Sequence, residues 1–201
     1  MREVLEVYRD QIEASQALAE LGVEPRRYFL VSAHREENVD NPERLASLVA
    51  SLNAVAARWG LPILVSTHPR TRKRLEAGGD LHADPLVRFH PPFGFLDYNK
   101  LQLESACVLS DSGTIAEEST MLGFPAVTLR GAIERPEALD TGAITMVDVA
   151  PDQVVAGLEF AMARGRSPEA PADYCVTNTS ERVVNFMLST APQHKQWSGL
   201  R

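Results

Sequence analysis

Six short runs of apolar and β-branched residues punctuate the chain: YFLVSA at 28–33, PILVST at 62–67, LVRF at 86–89, ACVLS at 106–110, PAVTL at 125–129 and AITMVD at 143–148. Each is too short for a buried helix and is bounded by turn-forming residues, so each reads as a strand. Between them apolar residues recur at helical spacing. The clearest case is NPERLASLVASLNAVAARWG, where Asn41 is placed as N-cap and Pro42 as the first helical residue. Leu45, Leu48, Val49, Leu52, Val55 and Ala56 make one apolar stripe there before Gly60 stops the helix. Strands that alternate with helices build βαβ units, and near-continuous apolar strands are those of a parallel sheet covered on both faces. The expected fold is a doubly wound, Rossmann-like α/β domain.

Two further helical patterns flank this core, whose bounds read as 28–165. The first covers residues 2–21 and ends at Gly22 ahead of Pro25; the last runs from Asn178 to Leu188 after the connection SPEAPADYCVTN. The tail APQHKQWSGLR reads as frayed or docked elsewhere. With 201 residues the chain suits a single domain with a core that needs no disulfide staples. Cys107 and Cys175 read accordingly as reduced, core-type thiols.

Charge narrows the partners. A net charge of -7 argues against a nucleic-acid-binding face, and no apolar run approaches the roughly 20 residues of a membrane helix. The start, MREVLEVYRDQIEA, lacks the apolar core of a secretory signal, so a cytoplasmic location is expected. One basic cluster, HPRTRKR at 68–74, reads either as an anion contact or as a solvated helix start.

In an open α/β sheet the ligand lies beyond the carboxyl ends of the strands. The loops there are AHREENVD, THPRT, HPPFGFLDY, SDSGT and RGAIERPEA, all polar, three of them containing histidine and three carrying arginine. In SDSGT, Gly113 permits close backbone approach, and a helix starting near Thr114 would offer its N–H groups and dipole to an anion. The segment is neither a Walker loop nor a GxGxxG fingerprint, and an unliganded N-cap is an equally good reading of it. Glu117 and Glu118 follow in the first turn. Either carboxylate complements the dipole, or one of the two accepts from ribose hydroxyls; adjacent helical residues point about 100° apart, so at most one reaches a sugar.

Phe93 and Phe95 read as core, and Tyr98, at a helix entry, as a base-stacking face. His34, directly beyond a buried strand, suits proton transfer or phosphate contact. No helical metal-ligand spacing surrounds it, so no metal or other cofactor is expected.

Taken together, SAHREENVD with His34, STHPRT with His68, LSDSGTIAEES and LRGAIERPEALDTG resemble, in this order and spacing, the C-terminal half of the non-hydrolysing UDP-N-acetylglucosamine 2-epimerases. The resemblance runs over about residues 28–188. It implies one half of a GT-B-type, two-domain architecture and a UDP-sugar substrate. It assigns Ser112, Gly113 and Thr114 to the diphosphate, Glu118 to the ribose, Arg135 to the phosphates, Tyr98 to the uracil and His34 to the catalytic site. Arg35 and His68 match positions that contact a regulatory UDP-sugar in some bacterial members. The implied reaction eliminates UDP from C1 as the C2 proton leaves, then adds it back to the 2-acetamidoglucal with C2 protonated on the other face.

The resemblance also implies an N-terminal domain ahead of Met1 bearing the acid/base carboxylates, so that 1–201 is a UDP-binding domain inactive alone. It further implies a dimeric full-length enzyme and a last helix packed against the other domain. Thr114 and Ala116 depart from the usual DSGG-x-QEE and resemble the branch that forms UDP-N-acetyl-L-fucosamine. Two other readings stand beside the epimerase: a non-catalytic UDP-sugar binding module, and the nucleotide-binding half of a GT-B glycosyltransferase.

Overall fold

The computed structural model describes residues 1–77, 82–133, 136–165 and 170–199. All six expected strands form, as β1 (Phe29–Ser32), β2 (Ile63–Ser66), β3 (Val87–His90), β4 (Cys107–Ser110), β5 (Ala126–Leu129) and β6 (Thr145–Val147). They pair in parallel in one sheet of order β3-β2-β1-β4-β5-β6. The helices are α1 (Arg2–Val7), α2 (Arg9–Ala14), α3 (Ala17–Leu21), α4 (Glu36–Val39), α5 (Pro42–Trp59), α6 (Pro69–Ala77), α7 (Phe95–Glu104), α8 (Ile115–Leu122), α9 (Glu137–Asp140), α10 (Pro151–Arg164), α11 (Thr179–Thr190) and α12 (His194–Trp197).

Alternation along the strands divides the core into two layers. Phe29, Val31, Ile63, Val65, Cys107, Leu109, Val127 and Leu129 pack with the stripes of α5 and α10. Leu30, Leu64, Val108 and Ala126 face the other way, against Leu101 of α7, Ile115 of α8 and Ala17 of α3. Both faces of the sheet are therefore covered, which explains why the strands read as continuous apolar runs. In α5 the Asn41 carboxamide accepts from the N–H groups of Glu43 and Arg44, at 2.9 and 3.3 Å. Gly60 closes the helix at φ 61°, in the left-handed region. All six stripe residues are buried. Each leucine among them contributes about 1.5–3 kcal/mol of apolar transfer, more than the propensity of any one position. Gly157 lies mid-helix in α10 because a Cβ there would come within 2.7 Å of Val147 on β6.

Four sequence expectations change. The pattern at 2–21 is interrupted twice: Tyr8 leaves helical geometry, and Ser15 turns extended. The Ser15 hydroxyl accepts from the Ala17 N–H and donates to Asp97 at 2.6 Å, so local side-chain bonding replaces the helix ladder. The apolar period was nevertheless informative, since Leu5, Ile12 and Ala17 are all buried. Cys107 is a core thiol whose pKa burial pushes up to about 12, but Cys175 is exposed in a 3-10 turn at Ala172–Cys175. Phe95 is 42% exposed and meets Tyr8 edge-on instead of joining the core; Phe93 is half-buried beside His90. The tail is ordered as a 3-10 turn, Ala191–Gln193, followed by α12.

The last helix forms as α11 with Asn178 as its N-cap and ends two residues beyond the expected Leu188. None of its residues is buried, and Val183, Val184, Phe186, Met187 and Leu188 stand exposed. Among the described residues no helix is long and apolar enough to cross a membrane.

Candidate functional site

The sheet order places the topological switch between β1 and β4, whose last residues, Ser32 and Ser110, are register partners. From there the chain diverges: β1 leads through α4 to α5 on one face, and β4 leads to α8 on the other. A crevice opens where two such connections part, and this is where ligands of open α/β sheets bind. His34, Arg35, Ser112, Gly113 and Thr114, five of the residues singled out from sequence, converge on it.

The first loop is held from below. Asp111, with 0% exposure, directs its carboxylate at the start of α4. It accepts from the His34 N–H at 3.0 and 3.2 Å, from the Arg35 N–H at 2.9 Å and from Asn38 Nδ2 at 3.0 Å. Asn38, equally buried, also donates to the Leu129 carbonyl at 3.1 Å and accepts from Arg44, which reaches on to Asp148 at 2.7 Å. The Arg44 bond holds the Asp148 carboxyl below its ordinary range. A polar chain thus runs from the outer edge of the sheet to the switch point, with several donors gathered on the one buried carboxylate. The His34 side chain is 44% exposed and turns Nδ1 inward, 3.3 Å from Ser32 Oγ and 3.7 Å from Asp111 Oδ1.

The second loop is built differently. Ser112 Oγ accepts from the Thr114 N–H at 3.3 Å and lies 3.0 Å from Thr114 Oγ1, a local turn that delivers the chain into α8. Thr114 is the N-cap, yet its side chain makes no capping bond. The N-terminal N–H groups of a helix need partners, and the dipole makes an anion a favourable one.

One turn into α8, Glu118 is half-buried and accepts from Gln102 Nε2 at 2.7 Å. Gln102 is fully buried on α7, so it holds this carboxylate from the core side. Tyr98, also on α7, contributes its ring to the core layer under α8 and brings its hydroxyl to Ser32 and Ser110. Burial raises its pKa far above the ordinary phenol value. Its ring is therefore no open platform: half-buried, it supports the floor of the crevice.

On the α4 side, His34, Arg35, Glu36, Glu37 and His68 line one open cleft of about 420 Å³. The structure thus places both positions matched to regulatory contacts beside His34. The basic run leads into α6, where Arg72, Lys73 and Arg74 are exposed and Arg74 pairs with Asp40 at 3.3 Å, as a solvated helix start would. Arg135 lies outside the described residues. Among the described residues no cluster of three or more potential metal ligands occurs.

Sequence reading assigned no role to Asp111, Asn38, Gln102 or Arg130. Arg130, 3% exposed directly after β5, places a cationic side chain at the carboxyl edge of the sheet. The visible signal was a charged residue ending an apolar strand. No local pattern singled out the other three, whose long-range partners lie 16 to 91 residues away.

Known proteins align with this arrangement. UDP-N-acetylglucosamine 2-epimerase of Methanocaldococcus jannaschii is 32% identical over 163 residues, which cover 80% of this chain and 44% of that protein. A UDP-N-acetylglucosamine 2-epimerase structure from Rickettsia bellii superposes with a TM-score of 0.83 at 32% identity, over 96% of this chain and 53% of the other. The M. jannaschii enzyme in complex with UDP-GlcNAc and UDP superposes with a TM-score of 0.84 at 28% identity, over 94% and 52%. The chain spans about half the length of these relatives. The family model described as UDP-N-acetylglucosamine 2-epimerase matches residues 1–188, and the chain belongs to that family.

Proposed function

We propose that this chain is the UDP-binding domain of a non-hydrolysing UDP-N-acetylglucosamine 2-epimerase. The reaction interconverts UDP-GlcNAc and UDP-ManNAc, or a 6-deoxy analogue, by elimination and re-addition of UDP. The observation that carries this reading is the asymmetry at the switch point: the start of α8 lacks a side-chain cap, while a braced carboxylate and a histidine flank it. In this reading Ser112, Gly113 and Thr114 hold the diphosphate, Glu118 the ribose and Arg135 the phosphates, above a floor to which the buried Tyr98 ring contributes. His34 meets the β-phosphate. Departure of UDP from C1 builds charge on that phosphate, and pre-positioned N–H groups, Arg135 and His34 stabilise it as it develops.

Removal of the C2 proton needs acid/base groups beside the sugar. We assign these to a companion N-terminal domain, with 1–201 acting as a single domain that binds but does not turn over. Arg35 and His68 are proposed as contacts of a regulatory UDP-sugar, since they share a cleft with His34. The same reading carries a homodimeric, cytoplasmic enzyme of nucleotide-sugar metabolism supplying polysaccharide biosynthesis, with neither nucleic acid nor membrane as partner. Thr114 and Ala116 support a 6-deoxy substrate.

The test is proton NMR of UDP-N-acetylglucosamine in D₂O with the chain added. Broadened uracil lines with an intact C2 signal are expected. A vanishing C2 signal would mean that the chain carries its own acid/base group, and sharp uracil lines at high protein concentration would reject the UDP site. By calorimetry, Arg135→Ala should weaken UDP binding by about 1.5–3 kcal/mol, the scale of a hydrogen bond to a charged group.

A further inference from the structure

We propose that Asp111 is the positioning residue of this site. Its buried carboxylate holds the backbone of the His34 turn and fixes the neutral His34 ring as the Nδ1–H tautomer, leaving Nε2 to the cleft. The inference rests on the proposed role of His34 at the β-phosphate, but the arrangement that carries it is a property of the chain alone.

Two features of the geometry lead here. First, Asp111 constrains the main chain on which His34 is mounted. It accepts from the N–H groups of His34 and Arg35 and from Asn38 Nδ2, all at 2.9–3.2 Å, with no exposure to solvent. Second, the same carboxylate faces the inner ring nitrogen. Asp111 Oδ1 is 3.7 Å from Nδ1, and Ser32 Oγ lies 3.3 Å from that nitrogen. The hydrogen bond made at one imidazole nitrogen sets which of the two carries the proton. A buried anion beside Nδ1 favours a proton there and disfavours a lone pair, and the serine hydroxyl can accept the N–H directly. Nε2, on the opposite side of the ring, then carries the lone pair. When an anionic oxygen occupies the cleft, Nε2 takes up a proton from solvent and donates it as a hydrogen bond to that oxygen, and the carboxylate behind the ring stabilises the resulting imidazolium. Asp111 does not reach the ligand; it acts through His34.

Long-range ¹H–¹⁵N spectra of the ¹⁵N-labelled 201-residue chain, recorded without nucleotide at a pH where His34 is neutral, test this directly. The expected wild-type spectrum shows His34 Nδ1 as the protonated, pyrrole-type nitrogen and Nε2 as pyridine-type. Asp111→Asn should shift the population toward Nε2–H. Ser32→Ala, which keeps the carboxylate, should retain Nδ1–H and so guards against a poorly folded Asp111 variant. A wild-type ring protonated mainly at Nε2 would overturn the proposal, as would reversal of the tautomer by Ser32→Ala or its persistence in a folded Asp111→Asn chain. A merely structural role for Asp111 would alter stability without selecting a tautomer. UDP is then titrated separately against the backbone signals of Ser112–Thr114: a missing response there rejects the nucleotide site and leaves the tautomer result standing.

Discussion

Two helix starts flank the β1/β4 crevice, and they are used in opposite ways. At α4 the N–H groups of His34 and Arg35 are taken by the protein's own Asp111. At α8 a serine and a threonine turn the chain into the helix without a side-chain cap on its first turn. The same strand-to-helix device is thus braced by a buried carboxylate on one side and by short serine hydroxyl bonds on the other. A buried carboxylate with several donors is rigid and brings a fixed negative charge to its loop, whereas neutral hydroxyls bring none and leave the helix dipole uncompensated by any side-chain charge of the loop. The difference teaches that a polar loop after a strand is not by itself a binding loop; what occupies its donors decides.

The most damaging way to break the contrast is to open the joint at α4. Asp111→Ala removes the acceptor shared by two part-buried backbone N–H groups and Asn38 Nδ2, which keeps only its bond to the Leu129 carbonyl, and a donor left unsatisfied costs about 1–3 kcal/mol. The expected loss is about 3 kcal/mol or more by urea denaturation; a loss under 1 kcal/mol would show that the joint is not needed. Next comes the α8 side. Glu118→Gln should weaken UDP by roughly 1.5–3 kcal/mol while leaving 2′,3′-dideoxy-UDP nearly unaffected, by calorimetry on both ligands. Equal losses would reject the ribose contact.

A finer probe acts on the brace. Gln102→Leu removes the 2.7 Å bond to Glu118 but keeps side-chain bulk in the core, and it should cost about 1 kcal/mol in UDP affinity. If affinity is unchanged, Glu118 needs no positioning from α7. The smallest effect lies at the outer end of the clamp. Asp148 is half-exposed, so Asp148→Asn should cost only a few tenths of a kcal/mol. Its carboxyl is held below the usual range by the bond from Arg44. That contribution is present above the ordinary aspartate value of about 3.9 and disappears as pH falls through the lower folded one. Wild type and variant should therefore converge in acid, and a gap that widened there would contradict the assignment.

The amino-acid sequence by itself determined the six strands, the α5 helix with its Asn41 cap and Gly60 stop, and the doubly wound arrangement. Each depends on periodicity and turn chemistry written within a few residues. It also singled out Ser112–Thr114, Glu118 and His34, because a small-residue turn before a helix, an acidic first turn and a histidine at a strand end are local patterns. Only the tertiary structure decided that Ser15 breaks the first helix by reaching Asp97, that Phe95 is exposed and that the Tyr98 hydroxyl lies under the crevice. Above all, it decided that the aspartate of SDSGT closes the loop at His34 instead of serving its own turn. That aspartate and its partners are 73 to 77 residues apart, and their meeting follows from β1 and β4 becoming neighbours, a pairing set by burial of both sheet faces and not by any residue pattern near either one.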